Sequence, residues 1–320
     1  MNKFTKIGLS ALAGSLVAFS AHAGSLSASG SASLTFSNSD DTSHTPEGNQ
    51  WTMGDSITFT GSGEMDNGMT ISVSYELDGD DAPTGNELDS HSMTLDTNGF
   101  GTITFAGHGG SSAMSALDDV TPNAYEESWD VVSGADTGTR VNGSSGNNMF
   151  TYKSPDLSGA TVTVAYLNGS DAITDKSYMD FSIVAKPEMV EGLEVGYGFG
   201  ETEETTGTAI DDTAMYAKYT YGSLTVGYQI NESDGPAAAN DIDFEALGVT
   251  YAVTDDITIG YSTSESEKAS DSDTQEATAI GASFTSGGIT VAGSMNSVDN
   301  VGYDASADRD GYEFNISFAF

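Results

Sequence analysis

Stretch after stretch of this chain alternates apolar and polar side chains with a period of two, and clusters of Gly, Asp, Asn and Ser separate one stretch from the next. That is the period of a β-strand with unlike faces, and it is incompatible with the 3.6-residue repeat of an amphipathic helix. In 159–168, Val162, Val164 and Tyr166 oppose Thr161, Thr163 and Ala165. In 178–186, Met179, Phe181, Ile183 and Ala185 oppose Asp180, Ser182, Val184 and Lys186, and in 55–63, Ile57 and Phe59 oppose Ser56, Thr58, Thr60 and Ser62. Sixteen such stretches are legible, near 25–36, 55–63, 69–77, 91–97, 101–108, 148–153, 159–168, 178–186, 192–200, 212–221, 222–230, 242–252, 256–264, 275–285, 288–296 and 311–320.

The connections alternate short and long. Short ones include 65–68, 98–101, 154–159, 187–192, 221–223, 254–256 and 286–288, several with the Asn-Gly or Gly chemistry that tight hairpins require. Long ones fall near 37–54, 78–90, 109–147, 169–177, 201–211, 231–241, 265–274 and 297–310. An even strand number with this alternation predicts an all-β fold, a sixteen-stranded antiparallel barrel crossing a membrane as one domain over 24–320.

Residues 1–23 stand apart. Lys3 and Lys6 precede the short apolar stretch Ile7 to Ser20, and Ala21-His22-Ala23 has the small-x-small form of a cleavage site. This predicts a secretory signal peptide. With Lys3 and Lys6 removed, seven of the nine Lys and Arg remain against 48 Asp and Glu, so a net charge of −39 becomes two units more negative. Such a chain is a poor ligand for nucleic acid, whose phosphates need Lys and Arg. It attracts cations instead. The absence of cysteine removes disulfide scaffolds and thiolate metal sites. Beyond the leader no apolar run is long enough for a spanning helix, and a closed barrel is the alternative way to cross lipid. Charged groups facing lipid near the midplane are costly, so Asp180, Glu194, Asp243, Glu245 and Glu313, which fall within strands, are expected to face water or to lie near a strand end. The last stretch is the most specific: Tyr312, Phe314, Ile316, Phe318 and the terminal Phe320 alternate with Glu313, Asn315, Ser317 and Ala319.

Three segments resemble the general diffusion porins of Gram-negative bacteria. The hairpin Phe59-Thr60-Gly61-Ser62-Gly63-Glu64-Met65-Asp66-Asn67-Gly68-Met69 is similar to the family's F-K-G-x-E-D-L-G-N-G-L stretch. The segment from Gly99 to His108 is similar to its G-F-G-T-L-T-L-G-R strand, with Ala106 as an insertion, and Asn148 to Gly159 to its N-S-I-x-Y-x-S-P-x-F-x-G segment. Phe320 matches the aromatic end such barrels carry as an assembly signal. The resemblance implies a trimeric outer-membrane channel for passive diffusion of small solutes and ions, in contact with lipid and lipopolysaccharide. It also implies that the third long loop, here 109–147, folds into the barrel and narrows it.

That loop carries Asp118, Asp119, Glu126, Glu127, Asp130 and Asp136, with Tyr125 and Trp129. The resemblance makes the first five the candidate constriction. Family members line the facing wall with Arg and Lys, whereas the matching positions here hold Ser56 and Thr60, and His108 stands where Arg is common. Alternation places all three on the polar face. Arg140, Lys153, Lys186 and Lys218 are the remaining basic candidates, with Lys153 and Lys218 of inward parity. Cation selectivity is the expectation.

No catalytic constellation emerges. His44, His91 and His108 are scattered, and neither a P-loop nor a nucleophile elbow is found. The expectation is a protein without enzymatic activity or cofactor. Loop carboxylates at Asp40-Asp41, Asp78 to Asp81, Asp271 to Asp273 and Asp304 to Asp310 are candidate Ca²⁺ or Mg²⁺ ligands, none with EF-hand spacing. Two rival readings exist. A calcium-binding secreted solenoid needs a fixed short repeat, which is missing. A sugar-specific channel needs an aromatic track through its bore, and most strand aromatics here, Tyr216 excepted, have outward parity.

Overall fold

The computed structural model describes residues 24–39, 50–78, 88–136, 147–169, 177–203 and 209–320, so the predicted leader and Arg140 lie outside the described residues. Sixteen strands are present among them: β1 (Leu26–Ser39), β2 (Gln50–Glu64), β3 (Thr70–Asp78), β4 (Ser90–Asp96), β5 (Thr102–His108), β6 (Met149–Lys153), β7 (Ala160–Leu167), β8 (Tyr178–Ala185), β9 (Leu193–Glu203), β10 (Ala209–Tyr221), β11 (Leu224–Asp234), β12 (Ile242–Ala252), β13 (Ile257–Lys268), β14 (Gln275–Ser286), β15 (Ile289–Asp299) and β16 (Arg309–Ala319). Each pairs antiparallel with its sequence neighbours, and β16 pairs with β1 to close the barrel. Closure runs to the last residue: the amides of Gly30 and Phe320 each donate to the other's carbonyl at 2.9 Å. The tight turns have the backbone their sequences demand, with φ of +56° at Asn98 and +110° at Gly99.

Cross-strand register sorts side chains into two faces. One bears Tyr197, Met215, Tyr228, Leu247, Tyr261, Ile280, Met295, Tyr312 and Phe314, all exposed. The other bears small and polar groups, for example the row Gly198, Ala214, Asn231, Phe244, Ser266 and Gln275 across β9 to β14. Exposed apolar side chains packed edge to edge around a closed ring are what a bilayer solvates.

Strands β11, β13 and β15 run to Asp234, Lys268 and Asp299, beyond the ends expected from alternation. The reason is chemical. On the apolar face the sequence turns acidic towards the long loops, at Glu232 and Asp234, Glu265 and Glu267, and Asp299, while backbone pairing continues. Hydrophobic alternation reports only the lipid-facing band, whereas the hydrogen-bonded ladder extends above it. Asp243 and Glu245 belong to this acidic upper zone, in register with Glu267 and Glu265.

The connection between β5 and β6 packs against the small-and-polar face. Its 3₁₀ turn Met114–Leu117 is anchored by Asp180 of β8, whose carboxylate accepts the amides of Ala113 (3.1 Å) and Met114 (2.7 Å) and the Tyr178 hydroxyl (3.0 Å). Asp180 is therefore 2% exposed, and it lies near the start of β8, the second of the two places expected for a strand carboxylate. Met114 and Leu117 are fully buried against Ala214 and Tyr216. Further along, Pro122 lies on Gly248, where an added Cβ would come within 2.2 Å of the Pro122 carbonyl oxygen, and Gly198 leaves the room that Leu117 occupies. Trp129 packs edge-on against Phe244 at 5.0 Å.

Two outcomes test this architecture. Ile280→Lys, in the middle of an apolar run, should cost about 2–4 kcal/mol of folding in vesicles, whereas Glu265→Lys, towards the loop end of the same face, should cost roughly 0–1 kcal/mol, both read from urea titrations. Asp180→Ala leaves two buried amides without their acceptor, a loss of about 1–3 kcal/mol. Hydrogen exchange at Ala113 and Met114 should accelerate while the strand amides of β10 to β15 stay protected.

Candidate functional site: an acidic segment laid across the polar face

The residues that follow the 3₁₀ turn are held by side chains from strands distant in sequence. Gln229 donates Nε2 to the Leu117 carbonyl at 2.9 Å. The Tyr125 hydroxyl donates to Glu313 Oε1 at 2.5 Å, and Ser128 and Ser264 hydroxyls share a hydrogen bond of 3.0 Å. Asn296 donates Nδ2 to the Glu127 carbonyl at 2.6 Å. Farther on, the Asp136 amide donates to Gln275 Oε1 at 2.7 Å, and the Tyr303 hydroxyl to Asp136 Oδ2 at 2.6 Å. The anchors come from β8, β11, β13, β14, β15 and β16, so the segment is laid across much of the ring.

This pinning concentrates charge. Carboxylate oxygens of Glu126, Glu127 and Asp130 lie within 4.8 Å of one another. Burial, then repulsion from Asp118 and Asp130, pushes Asp119 up to about 6. Burial, then the charges of Asp130 and Glu313, pushes Glu126 up to about 7. Burial, then a hydrogen bond with Asp130 and its charge, pushes Glu127 up to about 9. Burial and the bond to Glu313 raise Tyr125 as well. Of the five loop carboxylates named from sequence, the structure thus brings Glu126, Glu127 and Asp130 together. Asp119 is close enough to feel Asp118 and Asp130.

The wall residues fare unequally. Ser56 and Thr60 lie on the small-and-polar face of β2, opposite in parity to the exposed Ile57 and Phe59, with Ser56 3.4 Å from the Ser31 hydroxyl. His108 does not join them. A β-bulge between β4 and β5 makes Ala106 the partner of Ser92 and His108 the partner of His91, and His91 is in register with Tyr75 on the apolar face, where the two rings stack at 6.4 Å. The extra residue is Gly107, next to the Ala106 named from the sequence, and it shifts the register beyond it. Lys153 ends β6. Lys218 sits on the small-and-polar face, but its ammonium is 2.9 Å from Glu194 Oε1, and Lys186 reaches Oε2 of the same carboxylate at 2.8 Å. The two ammonium groups share one carboxylate, which leaves one positive charge in excess.

Sequence reasoning missed the anchors: Asp180, Gln229, Asn296 and the glycines under the segment. Gly196, Gly198 and Gly200 on one face of β9 were the available signal, since a run of strand glycines of one parity marks a close approach. Aromatics of that face also exceed the expected Tyr216, since Tyr178 and Phe244 share it, all three buried.

Comparison with known proteins follows the geometry. An anion-selective porin from Comamonas acidovorans superposes with a TM-score of 0.69 at 15% identity, covering 92% of this chain and 99% of that one. A mutant of the Rh. blastica porin gives 0.68 at 16% identity, covering 92% and 100%. The trimer form of OmpT, an outer membrane protein of Vibrio cholerae, gives 0.69 at 15% identity, covering 93% and 100%. No curated protein matches the sequence itself. The sequence model of the Gram-negative porins does match, over residues 8–279. With that match spanning most of a closed sixteen-stranded barrel, the chain belongs to the Gram-negative porin family, the channels of the outer membrane.

Proposed function

We propose that this porin passes small hydrophilic solutes and ions by diffusion, favours cations, and is narrowed by the segment 113–136 crossing its bore. The observation that carries the reading is the pinned group Glu126, Glu127 and Asp130, joined by Asp119, on the face opposite the lipid-exposed side chains. In a passage walled by protein, field lines are focused and a few fixed charges raise the local concentration of the opposite ion. The wall offers little to oppose them: Ser56 and Thr60 are hydroxyls, and Glu194 offsets one of the two positive charges of Lys186 and Lys218. The anion-selective neighbour shares the fold at 15% identity, a level at which wall charges are free to differ. A sugar-specific track is disfavoured, since Tyr178, Tyr216 and Phe244 are covered by the crossing segment. A homotrimer, the state of the OmpT structure, is the proposed assembly, with lipid and lipopolysaccharide around it. The activity is passive transfer, with no bond made or broken.

The raised proton affinities give the reading a pH signature. A carboxyl group is charged above its pKa and neutral below it, so the cluster gains charge as pH rises. At pH 8 Asp119 and Glu126 are ionised and Glu127 is largely protonated; near pH 5 all three are neutral for the most part. The cation-to-anion permeability ratio, from reversal potentials in a KCl gradient, should therefore fall by roughly twofold or more between pH 8 and pH 5. Glu126→Gln should remove the part of the change centred near 7. A preference for anions at pH 8, or a ratio flat over this range, would refute the proposal.

A further inference from the structure

Two connections cover one side of the barrel together. The last long one, 300–308, turns back onto the small-and-polar face through the 3₁₀ turn Val301–Tyr303. Val301 is buried in one apolar cluster with Trp129 and Val132 of the crossing segment and Phe244, Ala277 and Val298 of the strands. Gln275 of β14 clamps both connections: its Oε1 accepts the amides of Asp136 (2.7 Å) and Gly302 (3.1 Å), and its Nε2 donates to the Asp136 carbonyl at 2.8 Å. The Tyr303 hydroxyl donates to Asp136 Oδ2 at 2.6 Å and lies 2.8 Å from the Ser266 hydroxyl. Tyr303 holds a φ of +68°, a conformation that a bulky residue keeps only where its surroundings impose it. Beneath these two connections the small-and-polar face is buried from β8 to β15, as at Ser182, Ala214, Gln229, Ala246, Ser264 and Ala279.

The same face of β1 to β5 is different. Among the described residues none of its serines or threonines is buried, and they stand opposite one another: Ser62, Ser72, Thr94, Thr104 and Thr151 form one unbroken row across β2 to β6. The acids of this face lie towards strand ends, at Glu64, Glu76, Asp78 and Asp96. We infer that the crossing segment and the last connection jointly seal the β8–β15 side of the barrel and confine passing solutes to a lane of uncharged hydroxyls on β1 to β5. The lane presupposes that this face is the wall of the bore, as proposed above. Each hydroxyl both donates and accepts, so water, or a hydroxyl of a small polyhydroxy solute, replaces its predecessor there with the hydrogen bonds kept. A lane without fixed charge along its middle neither holds an anion nor repels a cation, and ion preference is left to the segment that faces it.

Because the chain has no cysteine, a single introduced thiol reports on its own position. Ser31→Cys and Ser74→Cys each place one in the lane, and Ser264→Cys and Ser266→Cys each place one on the sealed side, all four nearly isosteric. Every variant is the full refolded barrel, its folding checked by heat-modifiable gel migration. A cationic, membrane-impermeant methanethiosulfonate should modify the lane thiols about tenfold faster or more than the sealed ones, the difference between an open wall and one reached only by local opening. Modification in the lane should also lower the cation-to-anion permeability ratio by roughly twofold. Tyr303→Phe, which keeps the ring and removes both hydroxyl contacts, should speed modification of Ser266→Cys by about fivefold and leave that of Ser74→Cys unchanged. Equal rates on the two sides overturn the sealing and leave the channel standing. Lane thiols that react with no change in ion current place the solutes elsewhere and overturn the lane alone. Lane thiols that never react overturn both the lane and the reading of this face as the wall of the bore.

Discussion

Backbone hydrogen bonding in lipid governs this molecule. Each amide and carbonyl in the bilayer core must be satisfied from within the protein, and an open sheet edge there has no water to turn to. The ladder therefore closes, and its seam is where the sequence is least replaceable. Residues of β1 from Ser31 to Ser39 pair with β16, and below them Gly30 and Phe320 exchange both their hydrogen bonds. The last residue of the chain is thus the last rung of the barrel. Its ring lies 5.8 Å from that of Phe318, extending the apolar band to the seam.

Closure also explains which parts of the structure were legible in the sequence. A barrel wall in lipid is the simplest two-faced object a chain can make, and the contrast between Tyr261 or Ile280 and their neighbours Ser262 and Ala279 can be read by counting in twos. Counting fails where physics adds a second solvent. Above the band, Glu232, Glu265 and Asp299 take the same outward parity as Ile230, Tyr261 and Met295, and a hydrophobicity pattern sees a loop where the ladder goes on. Counting fails again at the bulge. There Gly107 has no partner on β4, so alternation counted up to Ala106 does not carry through to His108, which pairs with His91.

The site was legible in a weaker sense. A long acidic connection in the third position pointed to the right segment, but with 48 carboxylates in the chain nothing local separated Glu127 or Asp130 from any loop acid. What singles them out is their support, and support is non-local. Asp180, Gln229, Ser264, Asn296 and Glu313 reach the segment from five strands, each with one hydrogen bond or pair. Asp180, near the start of β8, reads as a water-facing group until the two amides it receives are seen. A strand glycine such as Gly248 reads as a weakness until Pro122 is found lying on it.

The same distinction, between how many charges a chain carries and how they are held, decides what the acidity does. Exposed charges on the upper rim, such as Glu232, Glu265 and Glu267, are screened over about 8 Å at physiological ionic strength and so are felt only at short range. Glu126, Glu127 and Asp130 are different in kind. They are partly removed from water and pressed within 4.8 Å of one another by anchors that are themselves mostly uncharged amides, hydroxyls and an indole ring. Repulsion at that distance is eased by a proton, since burial and the hydrogen bond with Asp130 push Glu127 up to about 9. In the function proposed above, a passing cation acts on the same carboxylates as that proton. Under that function, proton binding and ion selectivity are therefore competing readouts of one geometry.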